Sequence, residues 1–147
     1  MHSFILSTHN IVRWLVLAAG IWATWRAWRG WMTRAVWTDK DMTAGKVFAG
    51  AADLQFTIGV ILYAVSPLIR QGFRDFGAAM RDQDIRYFLV EHVLMMVVAV
   101  ALVHVGVSRV RKGKSDSAKF QTATIWWGIA TAAIAGFIPW QRPLLPF

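Results

Sequence analysis

The sequence predicts an all-α integral membrane protein, a four-helix bundle with up-down-up-down topology. The chain has 147 residues, of which 56% are hydrophobic. Its apolar residues fall into four long runs, near 5–28, 45–66, 87–108 and 120–140. Each run is close to the ~20 residues that cross ~30 Å of hydrocarbon. Inside lipid the backbone must satisfy its own hydrogen bonds, and a helix does so within one segment.

The basic residues predict which side of the membrane each end faces. Ten Lys and Arg lie after the first and third runs, and six lie elsewhere. The ten are Arg26, Arg29, Arg34, Lys40, Lys46, Arg109, Arg111, Lys112, Lys114 and Lys119; the six are Arg13, Arg70, Arg74, Arg81, Arg86 and Arg142. Because cytoplasmic loops are enriched in Lys and Arg, both termini are expected on the periplasmic side of a bacterial inner membrane. The net charge of +8 is thus attributed to topology and not to a nucleic acid partner.

The whole chain, 1–147, is expected to form one transmembrane domain. Residues 1–8 lack a basic segment and no small-residue cleavage site follows, so the first helix is expected to be retained. The connection 67–86 is expected on the outer side, as a short interfacial amphipathic helix or a lid. In the fourth run, Gly128, Ala132 and Gly136 recur every four residues, which predicts close approach of another helix.

Two histidines in the first and third helices form a candidate haem site. His9 lies 17 residues before Arg26, and His92 lies 17 residues before Arg109. At ~1.5 Å per residue both lie ~25 Å from the cytoplasmic boundary. The first and third helices are diagonal in such a bundle, with axes ~13 Å apart if neighbours are ~9–10 Å apart. A pair of axial ligands is one interpretation; interfacial or hydrogen-bonded histidines, a metal site or a quinone site are the alternatives.

Two further ionisable residues flank these histidines. Arg13 is one helical turn deeper than His9 on the same face, and a buried Arg requires an anion. Glu91 is the first candidate for that anion; a haem propionate, or pairing of Glu91 with Arg86 instead, are the alternatives. Glu91 lies ~100° around the helix from His92, which favours pairing or proton handling over iron ligation.

A second polar pair is expected in the cytoplasmic half of the bundle. Asp53 is seven residues from Lys46, and His104 is five residues from Arg109, on adjacent helices. Ionisable groups at this depth are costly, so a hydrogen bond between them is expected to explain both. A proton path or a quinone head-group site is the functional alternative.

Several segments carry a resemblance to known proteins: THNIVRW, ADLQFTIGVILY, RYFLVEHVLMM, VHVG and IPWQRPLL. With these, the chain resembles small bacterial four-helix membrane proteins that are called cytochrome b-like or simply uncharacterised membrane proteins. The resemblance covers nearly the whole chain and implies haem b with histidine ligands. The chain departs from two-haem cytochrome b proteins, because it lacks paired histidines in two helices at two depths. One haem at most is therefore expected.

The sequence thus predicts a b-type haem protein for single-electron transfer, as a small subunit of a membrane redox complex. A cofactor-free accessory subunit of a respiratory or photosynthetic complex, or a quinone or proton-handling protein, are the alternatives. The chain has no Cys and no HExxH, P-loop or GxSxG motif, so an enzyme acting alone is not expected. The bilayer and other membrane subunits are the expected partners.

Overall fold

Residues 1–140 are described by a computed structural model of the chain. Over this range the protein is helical, with no strand. The helices are α1 (His2–Met32), α2 (Asp39–Val65), α3 (Pro67–Arg74), α4 (Phe76–Arg81), α5 (Gln83–Arg86), α6 (His92–Arg111) and α7 (Asp116–Gly136), with a π-helical turn at Tyr87–Glu91 between α5 and α6. Arg142, which is one of the six basic residues counted on the periplasmic side, lies outside the described residues.

Three helical segments are long and apolar enough to cross a membrane: His2–Met32, Asp39–Val65 and Gln83–Arg111. The fourth long helix, α7, has 21 residues but opens with Asp116, Lys119 and Gln121, which shortens its apolar part. The four predicted runs therefore correspond to four long helices, of which three have the length and composition of membrane spans.

The four long helices pack in a ring. α1 packs mainly against α2 and α7, and α6 also packs against α2 and α7. Short connections join α1 to α2 and α6 to α7, so these neighbours are antiparallel. It follows that α1 and α6, which carry His9 and His92, occupy opposite corners of the bundle.

Aromatic rings from α7 fill the bundle interior against glycines. The indole of Trp127 is 1% exposed and lies against Gly45 of α2 and Gly106 of α6. Similarly, Phe120 covers Gly30 of α1. A Cβ at Gly45 or Gly30 would overlap these rings, so the glycines are needed for close packing.

In the predicted small-residue stripe of α7, Gly128 lies against α1, since a Cβ there would be 3.4 Å from Thr24 Cγ2. Ala132 is exposed, and a Cβ at Gly136 would meet no atom of the described chain within 4 Å.

The outer faces of the long helices carry exposed apolar side chains, among them Leu15, Leu54 and Leu94. Such an apolar exterior is typical of a surface in contact with lipid.

Asp41 joins α1 to α2 at the end of the bundle that carries their short connection. Its carboxylate is 5% exposed and accepts hydrogen bonds from Arg26 Nε at 2.7 Å, Thr38 Oγ1 at 2.7 Å and the Thr38 backbone N–H at 2.8 Å. The last of these contacts closes a capping box at the start of α2. One buried carboxylate therefore fixes the first turn of α2 and ties it to α1.

We expect Asp41→Ala to lower the free energy of unfolding by about 2 kcal/mol, because it removes a cap and leaves Arg26 without its carboxylate. The matched control is Asp39→Ala, which changes an exposed Asp in the same first helical turn. Thermal unfolding in detergent, followed by circular dichroism, measures both variants. Equal stability of the two variants would contradict the structural role of Asp41.

The connection 67–86 is folded into the three short helices α3, α4 and α5. Ile69, Ala79 and Leu89 form a small buried cluster that holds this segment against the start of the third long helical segment. α3 has an amphipathic pattern, with Ile69 and Gly72 buried and Arg70 exposed. This segment lies at the same end of the bundle as His9 and His92.

Candidate functional site

Hydrogen bonds from Gln55 join His9 to α2. Gln55 Nε2 donates to the His9 backbone oxygen at 3.0 Å and lies 3.2 Å from His9 Nε2. Because an amide nitrogen is only a donor, His9 Nε2 is the acceptor and Nδ1 carries the proton. His9 Nδ1 and Gln55 Oε1 are buried, and neither has a hydrogen-bond partner among the described residues. The pair thus leaves one buried donor and one buried acceptor unsatisfied.

His92 is held by a backbone carbonyl at the end of α7. Its Nδ1 lies 2.9 Å from the Phe137 oxygen, and Tyr87 donates its hydroxyl to the same oxygen at 2.6 Å. A carbonyl only accepts, so His92 Nδ1 carries the proton and Nε2 presents a lone pair. An imidazole anchored in this way is the usual arrangement of a metal-binding histidine.

The π-helical turn Tyr87–Glu91 directly precedes His92 and sets its direction. Tyr63 of α2 donates its hydroxyl to the Leu89 oxygen at 2.9 Å, within the turn. Tyr87, the first residue of the turn, reaches Phe137. π-Helical turns inside α-helices are rare and often lie at functional sites. From His92 to Arg111 the helix is regular, so the spacing of 17 residues between His92 and Arg109 holds as an axial distance.

Arg13 is a buried cation near both His9 and His92. It is 6% exposed, and its charge acts on both imidazoles. The two imidazoles also lie near enough for a charge on one to act on the other. His9, Arg13 and His92 therefore form one cluster at the α3–α5 end of the bundle, contributed by opposite corners of the ring.

Glu91 pairs with its own helical segment. Arg86 Nε lies 2.7 Å from Glu91 Oε1, and Arg86 also donates to the Met80 oxygen at 3.1 Å. Both side chains are about two-fifths exposed, at 40% and 42%. Of the alternatives given for Glu91, the structure therefore contains the Arg86 pair.

Asp53 and His104 meet on the outside of the α2–α6 seam. His104 Nε2 is 2.7 Å from Asp53 Oδ1, and both side chains are 51% exposed. The structure thus contains the contact expected between these two residues. It places them on the outer surface of two segments that are long and apolar enough to cross a membrane, and not in the bundle interior.

No cluster of three or more His, Asp or Glu side chains that could hold a metal ion occurs in residues 1–140. A haem needs fewer protein ligands, because its porphyrin supplies four nitrogens and the protein only the axial ones. Comparison with known proteins gave no match to a family model, a curated sequence or a solved structure. The resemblance to cytochrome b-like proteins therefore stays an expectation.

Sequence reasoning did not assign a role to three residues of the site: Gln55, Tyr87 and Phe137. Gln55 stands one helical turn before Gly59, whose missing side chain leaves room for the His9 ring; a Cβ there would lie 3.2 Å from His9 Cε1. A polar residue one turn before a glycine in an apolar run is a weak signal. The carbonyl of Phe137 has no sequence signal at all.

Proposed function

We propose that the protein is an inner-membrane b-type haem protein that carries single electrons, with His9 and His92 as axial ligands. The observation that carries the proposal is the anchored imidazole of His92. Its Nδ1–H is fixed on the Phe137 carbonyl, which directs the Nε2 lone pair to a ligand. His9 lies within electrostatic range of this ring, on the opposite corner of the ring of helices.

The fit of His9 depends on its glutamine. His9 Nε2 is held by the Gln55 amide, while His9 Nδ1–H and Gln55 Oε1 are both buried without partners among the described residues. These two atoms are complementary, one a donor and the other an acceptor. Pairing them would satisfy both atoms and would leave Nε2 free to hold the haem iron. The rearrangement would also give His9 the same kind of anchored Nδ1–H that His92 already has.

Arg13 supplies the charge that such a site needs. A cation close to both imidazoles attracts an anionic cofactor, including one with carboxylate side chains, and favours an added electron nearby. Bound haem would supply a one-electron iron couple. The contribution of the chain would be to hold the two imidazoles and to place the buried Arg13 beside them.

Haem titration of the purified apoprotein tests the proposal. We expect saturation at about one haem per chain and the optical spectrum of six-coordinate, low-spin iron, as two imidazole ligands give. Titration without saturation, or a five-coordinate spectrum, would contradict ligation by both histidines.

The membrane setting is part of the same proposal. We place all four long helices across a bacterial inner membrane, with both termini on the periplasmic side, as the distribution of basic residues favours. The connections between the long helices are short or folded into α3–α5, which leaves little surface for a soluble redox partner. We therefore propose that the chain works as a small subunit beside other membrane proteins.

The Asp53–His104 pair supports a second candidate function, the binding of a quinone head group. A half-exposed carboxylate–imidazole pair on a lipid-facing surface is accessible to ligands that travel in the bilayer. His104 Nε2–H donates to Asp53, so Nδ1 carries the lone pair that remains to accept a hydrogen bond from a quinol hydroxyl.

We expect Asp53→Asn to weaken binding of a short-chain quinol about tenfold, because an uncharged amide no longer orients and polarises His104. Asp39→Asn is the control, since it removes the same charge from the exposed first turn of α2. Titration of the quinol under reducing conditions, followed by quenching of tryptophan fluorescence, measures both. Unchanged affinity in Asp53→Asn would contradict binding of the head group at the Asp53–His104 pair.

A further inference from the structure

An open groove lies between the end of α6 and the first half of α7, at the end of the bundle away from the histidine cluster. We name it the basic groove, and its lining residues are Val105, Ser108, Arg109, Lys112, Thr122 and Trp126. The groove combines two cations, two hydroxyl groups and an aromatic ring within one concavity. No part of the proposed haem or quinone sites uses these residues.

The groove is built so that a cation is held in place. The Arg109 guanidinium lies over the Trp126 ring, 5.0 Å from its centroid. This contact fixes the direction of the guanidinium, which otherwise sweeps a wide volume. Lys112 follows three residues later, just past the end of α6, and also lines the groove. With the hydroxyls of Ser108 and Thr122, the groove offers the charged and neutral donors that bind phosphate oxygens.

The groove also continues onto apolar surface. Val105 lies one helical turn deeper than Arg109 and is 38% exposed, and Ile125 and Ile129 of α7 are about half exposed. Tryptophan and basic residues beside an apolar surface mark the level of lipid headgroups. A ligand that suits the whole surface has an anionic phosphate head and an apolar tail.

We propose that the basic groove binds the headgroup of an anionic phospholipid, with its acyl chains along the apolar surface of α6 and α7. Arg109 and Lys112 contact the phosphate, Ser108 and Thr122 donate hydrogen bonds to its oxygens, and Trp126 lies at the boundary of headgroup and chain. The inference is independent of whether the chain binds haem.

Lipid retention in phosphatidylcholine nanodiscs containing phosphatidylglycerol tests the proposal, with bound lipid counted by native mass spectrometry. We expect the wild type to retain phosphatidylglycerol in preference to phosphatidylcholine. Arg109→Gln with Lys112→Gln should reduce this preference about 25-fold, since each basic side chain near anionic lipid contributes about fivefold. Equal retention of the two lipids by the wild type would overturn the proposal.

The matched control is Arg111→Gln with Lys114→Gln, which removes the same charge from exposed positions outside the groove. We expect this control to keep the preference. If both double variants lose it equally, general attraction by the basic loop explains the binding and the groove does not. Excess inorganic phosphate should not displace the lipid from the wild type; displacement would show that the groove binds free phosphate, and would contradict a lipid site.

Discussion

We expect His92→Ala to abolish haem binding, and His9→Ala to do the same. In the proposed site each variant removes one of the two histidines that would hold the iron. Even partners of metal ligands cost about 10–100-fold in affinity when removed, so loss of a ligand is expected to cost at least about 100-fold. The measurement is haem per chain in protein purified after expression with ample haem. His2→Ala is the control, because it removes an imidazole from the start of α1, outside the His9–Arg13–His92 cluster.

His9 and His92 have different hydrogen-bond partners, Gln55 and the Phe137 carbonyl, so a substitution at Gln55 tests His9 separately. Gln55→Leu should leave haem bound but change the iron's spectrum, because Gln55 is the only described hydrogen-bonding partner of the His9 side chain in residues 1–140. Full haem content in both His9→Ala and His92→Ala would show that these histidines do not hold a haem.

Gly45→Ala destabilises the bundle by about 1–3 kcal/mol, because overpacking of a filled interior forces side chains out of place. The new methyl would overlap the indole of Trp127, which is 1% exposed and also packs against Gly106. Trp127 reaches across the interior from α7 to α2, two helices at opposite corners of the ring. The indole therefore cannot move away without disturbing the other helices.

Gly50→Ala is the matched control, five residues further along α2, where a Cβ would meet no described atom within 4 Å. There the same substitution should raise stability by up to about 1 kcal/mol, since alanine favours helix over glycine. Thermal unfolding of the two variants in the same detergent measures the difference. Equal effects of the two substitutions would contradict the packing of Trp127 against Gly45.

The sequence predicted the helical class of the fold and its long helices because hydrophobic composition acts over whole segments. It also predicted the contact between Asp53 and His104, because equal depth on adjacent helices leaves two polar groups few other partners. Helix ends were less predictable. α1 extends to Met32, beyond the predicted 28, since Trp and Arg continue a helix past the hydrocarbon as readily as apolar residues do.

The details of the site were not predictable from the sequence. The π-helical turn before His92 depends on contacts from α2 and α7, among them Tyr63 with Leu89 and Tyr87 with Phe137. No local pattern signals such a turn, because its extra residue is stabilised by distant groups. The predicted stripe of small residues in α7 packs only in part, for a related reason: Gly128 lies against α1, but Ala132 is exposed and a Cβ at Gly136 would meet no described atom within 4 Å. Spacing shows that residues share a face, but not whether that face points inward, and the close packing uses Gly30, Gly45 and Gly106 instead.

The most direct test of the central claim is the visible spectrum of the purified wild-type protein, oxidised and then reduced with dithionite. A sharp Soret band and an α band on reduction, at about one haem per chain, are the predicted result for iron between two imidazoles. A featureless spectrum, from protein expressed with ample haem, would contradict it. The cluster of His9, Arg13 and His92 would then serve packing or the binding of another ligand.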